Sequence, residues 1–334
     1  MNEPIPVLIT GGAGFIGSNI VARLAADPAY DVIVCDRLRE ASLGKWRNLA
    51  KHAISDLIAP EDLFAALTSG AVSPRIVIHM GAISSTLETD VDKIVANNFA
   101  LSRDLFGWCA DHGARLIYAS SAATYGDGAR GFADDPGYEA LAALRPLNPY
   151  GWSKALFDLF VARQTARGRA PPQCVGLKFF NVYGPNEGHK GAMKSVIAQI
   201  WPRVAAGESV KLFRSYNRDY PDGGQLRDFV YVRDAVDAVE WLVKNPDVSG
   251  LFNLGSGQAR SFADLATAVF HAVDRTPRID YIDMPPALIA AYQYHTQAPM
   301  ERLRAAGWPG RPTSLEDGVA DYVGTYLSRP DSYR

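Results

Sequence analysis

Four side chains in this sequence have the types and spacing to move a proton and steer a carbonyl. Tyr150 and Lys154 stand four residues apart, so on a helix they share one face. A phenol beside an ammonium is a general acid–base whose proton leaves more easily, because positive charge favours the phenolate. Ser121, ending an apolar run, is placed to donate a hydrogen bond to a developing alkoxide or carbonyl oxygen. Lys190 lies well downstream. An enzyme that only moves a hydride needs one proton carrier, and a second one, distant in sequence, points to a carbonyl that is formed and then reduced from its other face. The plainer reading of Lys190 is a surface lysine beside His189. That of the Tyr-x-x-x-Lys spacing is chance, in a chain with 15 tyrosines.

The elements around these residues favour chemistry. Val7–Thr10 is a short apolar strand that runs into Gly11, Gly14 and Gly17, followed by a helical pattern over 15–26. Glycines at this spacing allow a tight turn, close approach of backbone to a pyrophosphate and close helix–strand packing, with phosphates lying on free N–H groups at the helix start. Asp36 closes the second strand, where a carboxylate accepts from an adenine ribose. Asp36 alone favours NAD, since it repels a 2′-phosphate; Arg37, Arg39 and Lys45 follow it and offset that repulsion if they pair with the phosphate. His79 to Ala82 ends a third strand beside the expected pocket. Asn97 falls inside the next helical pattern.

Apolar strands alternate with helical patterns up to about residue 180, which predicts βαβ units and a parallel sheet covered on both faces. The fold class expected is therefore α/β: a Rossmann-type parallel sheet flanked by helices, mainly residues 1–185, with a smaller C-terminal substrate-binding lobe, mainly 186–334, some of whose segments return to the sheet. One unbroken helix is expected over 90–111, a helix over 149–167, and a capping box at Ser261 and Asp264. Residues 214–225 form a polar, glycine-rich loop. Of the chain's 334 residues 48% are hydrophobic and 21% charged, and the net charge of -2 offers no footprint for nucleic acid or an anionic membrane surface. No apolar run reaches membrane-spanning length, and no basic, apolar leader precedes the first strand. Cys35, Cys109 and Cys174 match no metal or disulfide spacing and are expected as buried thiols in a reducing, cytoplasmic setting.

The segments Thr10–Ile20, Tyr118–Gly126 and Phe180–Pro185, with Tyr150 and Lys154, resemble the extended branch of the short-chain dehydrogenase/reductase superfamily, which holds nucleotide-sugar epimerases and dehydratases. Glu187–Gly191 is the most discriminating piece. With Arg227–Val232 and Tyr292–Gln293 it is similar to the epimerases that act at C6 of ADP-heptose, over nearly the whole chain. That resemblance implies a tightly held nicotinamide dinucleotide, usually NADP, and inversion at C6 through a transient 6-keto intermediate, for the lipopolysaccharide inner core. Tyr150 and Lys190 would be the acid/bases on opposite faces, with Ser121 orienting the oxygen and Lys154 on the nicotinamide ribose. Cofactor contacts are implied at Gly11, Gly14, Phe15, Ile16, Gly17, Asp36, Arg37, Lys45, His79, Gly81, Ala82, Ser84, Asn97, Lys154 and Val182. Substrate contacts are implied at Ser121, Asn181, Lys190, Phe213, Ser215, Tyr216, Arg227 and Tyr292, Arg227 facing the pyrophosphate. The resemblance also implies a homo-oligomer, often a pentamer, and no metal.

Two departures bear on the sugar. Ala192 and Gln199 stand where family members tend to place serine and histidine, and the 214–225 stretch is long. A UDP- or GDP-sugar 4-epimerase or 4,6-dehydratase is the neighbouring reading. A dehydratase would want a carboxylate just after Ser121, where Ala122 and Ala123 stand. A non-catalytic dinucleotide sensor would not need Tyr150 and Lys154.

Overall fold

A computed structural model describes residues 3–86, 88–289 and 292–334. Its centre is a seven-stranded sheet, parallel throughout, built from β1 (Ile5–Thr10), β2 (Tyr30–Cys35), β3 (Asp56–Ile58), β4 (Ile76–His79), β5 (Arg115–Ser121), β6 (Cys174–Phe179) and a last edge strand, Gly250–Leu254. The spatial order runs from that edge through β6, β5, β4 and β1 to β2 and β3. The order reverses between β1 and β4, and ligands bind in the crevice that opens there at the carboxyl ends of the strands. Val7, Leu8, Ile9, Val77, Ile117 and Val175 are fully buried, as strands covered on both faces require.

Helices cover the sheet. Among them are α1 (Phe15–Leu24), α2 (Leu63–Ser69), α3 (Val91–Ile94), α4 (Leu101–His112), α5 (Tyr138–Ala142) and α6 (Pro149–Ala166). The run expected as one helix over 90–111 is interrupted by a π-helical turn, Val95–Ala100, between α3 and α4. Such turns are frequent at functional sites, and this one carries Asn97 and Asn98. β3 and α5 went unread in the sequence because three and five residues give too little periodicity.

The second lobe contains β7 (Asn181–Tyr183), β8 (Val210–Phe213) and β9 (Leu226–Tyr231), with helices α7 (Val196–Ala205), α8 (Val232–Lys244) and α9 (Phe262–His271). β7 and β9 pair in parallel, while β8 pairs with Ile279–Ile282. Crossing after residue 185 is not a clean break: Gly250–Leu254 joins the sheet through β6, and α8 packs on α1. Ser261 caps α9 and Asp264 closes the reciprocal capping box, as its spacing predicts. Among the described residues no helix is long and apolar enough to cross a membrane. The three cysteines are buried and unbridged, and burial pushes the Cys35 and Cys109 thiols up to about 12.

One buried ion pair ties the layers together. Lys178 of β6 and Asp158 of α6 meet at 2.8 Å, with side chains 0% and 1% exposed. Asp158 also accepts from Ser120 Oγ at 2.7 Å and Tyr118 Oη at 3.2 Å, and Lys178 Nζ donates to Thr124 Oγ1 at 2.6 Å. Removing one partner leaves a buried charge alone, so Lys178→Met should cost about 3–5 kcal/mol in urea unfolding. Lys178→Met/Asp158→Leu should recover most of that loss. Equal destabilisation by the single and double variants would refute the pairing account.

Candidate functional site

The turn after β1 sets the floor of the site. Gly11 has φ +67°, and a Cβ there would stand 2.6 Å from the Gly81 nitrogen. A Cβ on Gly17 would meet the Gly11 carbonyl oxygen at 2.1 Å. No side chain fits at either place, so the first turn of α1 presses against the strand end. Gly14 is the N-cap of α1, extended and without a side-chain cap, which leaves the helix's first N–H groups open to an anion. These N–H groups face a cleft of about 620 Å³, within the size range of cofactor pockets. Its walls include Gly11, Gly14, Phe15, Ile16, Gly17, Asp36, Arg37, Lys45, Gly81, Ala82, Ser84, Asn97, Ser121, Tyr150, Lys154, Val182 and Lys190.

Asp36 follows β2 directly and lines the cleft. Its Oδ2 accepts from the Ala13 amide at 2.9 Å, and its Oδ1 from the Arg37 amide at 2.7 Å and from Lys45 Nζ at 2.5 Å. Arg37 turns its guanidinium to Glu61, 2.6 Å away. Of the basic residues after β2, Lys45 therefore pairs with Asp36, while Arg39 is exposed at the cleft edge. The glycine cradle, the open helix terminus and this carboxylate fit a dinucleotide.

His79 does not line the cleft. It lies beneath, 2% exposed, with Nδ1 2.6 Å from Thr10 Oγ1 and Nε2 2.8 Å from Ser102 Oγ. Burial, assisted by Lys154, holds its pKa down at about 3, so the ring is neutral and braces the strand ends. The 81–84 loop is braced by Asn98, which sequence reasoning passed over: its Oδ1 accepts from the Ile83 amide at 2.8 Å and its Nδ2 donates to the Ile83 carbonyl at 3.0 Å. Only its neighbour Asn97 faces the cleft. The adjacent asparagines in a helical pattern were the available signal.

Tyr150 and Lys154 come from the first turns of α6, whose N-cap Asn148 accepts from the Gly151 amide at 2.8 Å. Lys154 Nζ donates to the Ala119 carbonyl at 2.8 Å. Burial lowers its pKa to about 8, against a raising by Asp158 one turn on. The phenol of Tyr150 is raised by burial and lowered by its hydrogen bond with Ser121. The Lys154 ammonium is turned toward the β5 carbonyl, and the influences on the Tyr150 phenol are its burial and the Ser121 hydrogen bond. Lys190 reaches the same cleft from the other lobe, its Nζ 5.1 Å from the centre of the Phe15 ring. Burial lowers its pKa and Glu187 opposes that.

The residues expected at the substrate form a second group, on the smaller lobe. Arg227 of β9 lies 5.4 Å from the Tyr292 ring centre and 5.7 Å from that of Phe262. Phe213 ends β8; Ser215 Oγ donates to the Asn217 carbonyl, and the exposed Tyr216 donates to Asp283 at 3.2 Å. Asn181 starts β7 and pairs in register with Phe229, two residues beyond Arg227. None of these six lines the 620 Å³ cleft. Gln293, next to Tyr292, donates to the Gly126 carbonyl at 2.8 Å and joins this group to the Ser121 side. Gln199 donates to the Ala192 and Lys194 carbonyls, so it anchors the loop after Lys190.

The sequence pattern of the NAD dependent epimerase/dehydratase family matches residues 7–255. The ADP-L-glycero-D-manno-heptose-6-epimerase of Nitratidesulfovibrio vulgaris (strain DP4) is 48% identical over 328 residues, 98% of this chain and 99% of that protein. The crystal structure of Helicobacter pylori ADP-L-glycero-D-manno-heptose-6-epimerase superposes with a TM-score of 0.77 at 31% identity, covering 97% of this chain and 96% of that one. Thermus thermophilus UDP-glucose 4-epimerase, in complex with NAD, gives 0.75 at 27% identity, covering 96% and 98%.

The burial of Lys154 makes a testable pH signature. Its folded pKa of about 8 lies below the ordinary 10.5. Below about pH 8 it is charged in both states and the burial penalty is fully present. Between about 8 and 10.5 the unfolded chain binds more protons, so this residue's contribution to stability rises with pH. In urea unfolding, wild type minus Lys154→Met should therefore grow by about 2 kcal/mol from pH 7 to 9.5. A flat difference would show that the amine is solvated.

Proposed function

This chain belongs to the NAD dependent epimerase/dehydratase family, and on that footing we propose that it interconverts ADP-D-glycero-β-D-manno-heptose and ADP-L-glycero-β-D-manno-heptose through a transient 6-keto sugar. The observation that carries the substrate is 48% identity to an enzyme of that name across 98% of the chain. What supports the chemistry is that Tyr150 and Lys190, from different lobes, line one cleft.

When bound, the nicotinamide dinucleotide supplies reversible hydride exchange with C6. The chain's own residues manage the proton and the oxygen. Tyr150 and Lys190 each take or give the proton at the C6 oxygen, one for each face, which lets a fixed hydride donor serve both epimers once the keto sugar has turned over. Ser121, bonded to Tyr150, orients that oxygen and eases loss of the phenolic proton. Lys154 holds the nicotinamide ribose. Arg227, backed by Tyr292, receives the substrate pyrophosphate as the cation of the smaller lobe.

NADP is the preferred cofactor in this reading. Lys45, held 2.5 Å from Asp36, offsets the carboxylate's repulsion of a 2′-phosphate and offers a cation to it.

Purified protein supplied with ADP-D-glycero-β-D-manno-heptose should yield the L-glycero epimer, resolved by chromatography. Tyr150→Phe and Lys190→Ala should each lower kcat by about 10²–10⁴. Full activity in either variant would remove that residue from the scheme. A wild type inactive on this sugar with NADP present, but active on a UDP- or GDP-sugar, would replace the substrate. For the cofactor, nucleotide released on denaturation should be NADP, and Lys45→Ala should weaken NADP about tenfold relative to NAD. Retained NAD in the wild type would overturn the preference.

A further inference from the structure

The segment that carries Lys190 is held by groups the reaction scheme does not use. Glu187, three residues earlier, is 1% exposed, an unusual place for a carboxylate. Its Oε2 accepts from the Ser195 amide at 2.5 Å, and its Oε1 from Ser195 Oγ at 2.5 Å and from Tyr322 Oη at 3.0 Å. Ser195 is the N-cap of α7, so the first two bonds close the 187–195 loop on itself. Tyr322 comes from the helical run after Leu315, and burial beside Glu187 pushes its phenol far up, so it stays a donor. The Glu187 carbonyl in turn accepts from the Lys190 amide at 3.0 Å. On the other side Asn186, at φ +73°, is pinned by the Arg334 amide on its Oδ1, by Ser18 Oγ under its Nδ2 and by Asn48 Nδ2 on its carbonyl. Both ends of the loop are therefore fixed.

We propose that Glu187 is the positioning residue for Lys190: its carboxylate, fixed by Ser195 and Tyr322, closes the loop and sets a buried anion within electrostatic reach of the lysine ammonium. The inference rests on the proposed role of Lys190 as proton carrier. A lysine in a half-buried cleft loses its proton easily, and Glu187 is the opposing influence. The other charged and titratable groups near Lys190 do not substitute for it. His189 is kept neutral, its pKa held at about 4 chiefly by burial, and Lys45 beside it is paired with Asp36. Phe15 of α1 offers only its ring face, and Tyr150 shares the cleft as a neutral phenol raised by burial.

The test follows the Lys190 amine itself by NMR of reductively ¹³C-methylated protein, its resonance identified by its loss in Lys190→Arg. Glu187→Gln keeps the shape and should shift the Lys190 titration down by about one pH unit. It should also lower kcat about tenfold and move the matching limb of the kcat–pH profile the same way, with little change in KM. Glu187→Asp should restore part of both. Tyr322→Phe keeps the charge but removes a competing donor, so it should raise the Lys190 titration. That opposite sign carries the test should Glu187→Gln fail to fold. A Lys190 titration unmoved in the folded variants overturns the proposal, whatever happens to activity. Absence of ADP-heptose conversion by wild type would instead overturn the functional reading, and the NMR titration would still decide the role of Glu187.

Discussion

The arrangement depends on a charge that has no water. Asp158 and Lys178 are sealed between α6 and the sheet, where an unpaired ion would be very costly. The pair fixes the depth and rotation of α6, because Asp158 must also take the Ser120 and Tyr118 hydroxyls. Tyr150 and Lys154 lie two turns and one turn before Asp158 on the same helical face, so a clamp at Asp158 aims both at the end of β5. The same network reaches Thr124, which holds the turn just after Ser121. Ser121, Tyr150 and Lys154, three of the four candidate residues, thus inherit their geometry from one ion pair outside the cleft lining.

The opposite wall obeys a steric constraint. Gly11, Gly17 and Gly81 bring three backbone segments so close that a Cβ at Gly11 or Gly17 would overlap a main-chain atom. That closeness puts the start of α1 at the switch point of the sheet, where its N–H groups and the Asp36 carboxylate can share one dinucleotide. The neutral His79 below, with both ring nitrogens engaged, keeps β1, β4 and α4 in register without placing a charge under the cofactor.

Lys190, the fourth candidate residue, is held differently. Lys190 sits on a short loop of the second lobe, and its setting comes from residues far apart in the chain: Ser18, Asn48, Tyr322 and Arg334.

Much of this was legible in the linear chain. Buried parallel strands show as unbroken apolar runs, the glycine turn follows its strand directly, and Tyr150 and Lys154 are spaced by one helical turn; each is a local pattern, and local sterics and periodicity dictate it. The partner of Lys178 was not legible, since nothing local links it to Asp158. The sequence could not tell that Lys154 turns to a β5 carbonyl, that His79 lies beneath the cleft, or that Glu187 is buried three residues before Lys190. Those outcomes depend on burial and on which donor arrives within hydrogen-bond reach. The sequence by itself determined the sheet, the dinucleotide turn and the local spacing of the candidate side chains. Only the tertiary structure decided their charge, partners and direction, because desolvation and hydrogen bonding are set by neighbours that are distant in the chain.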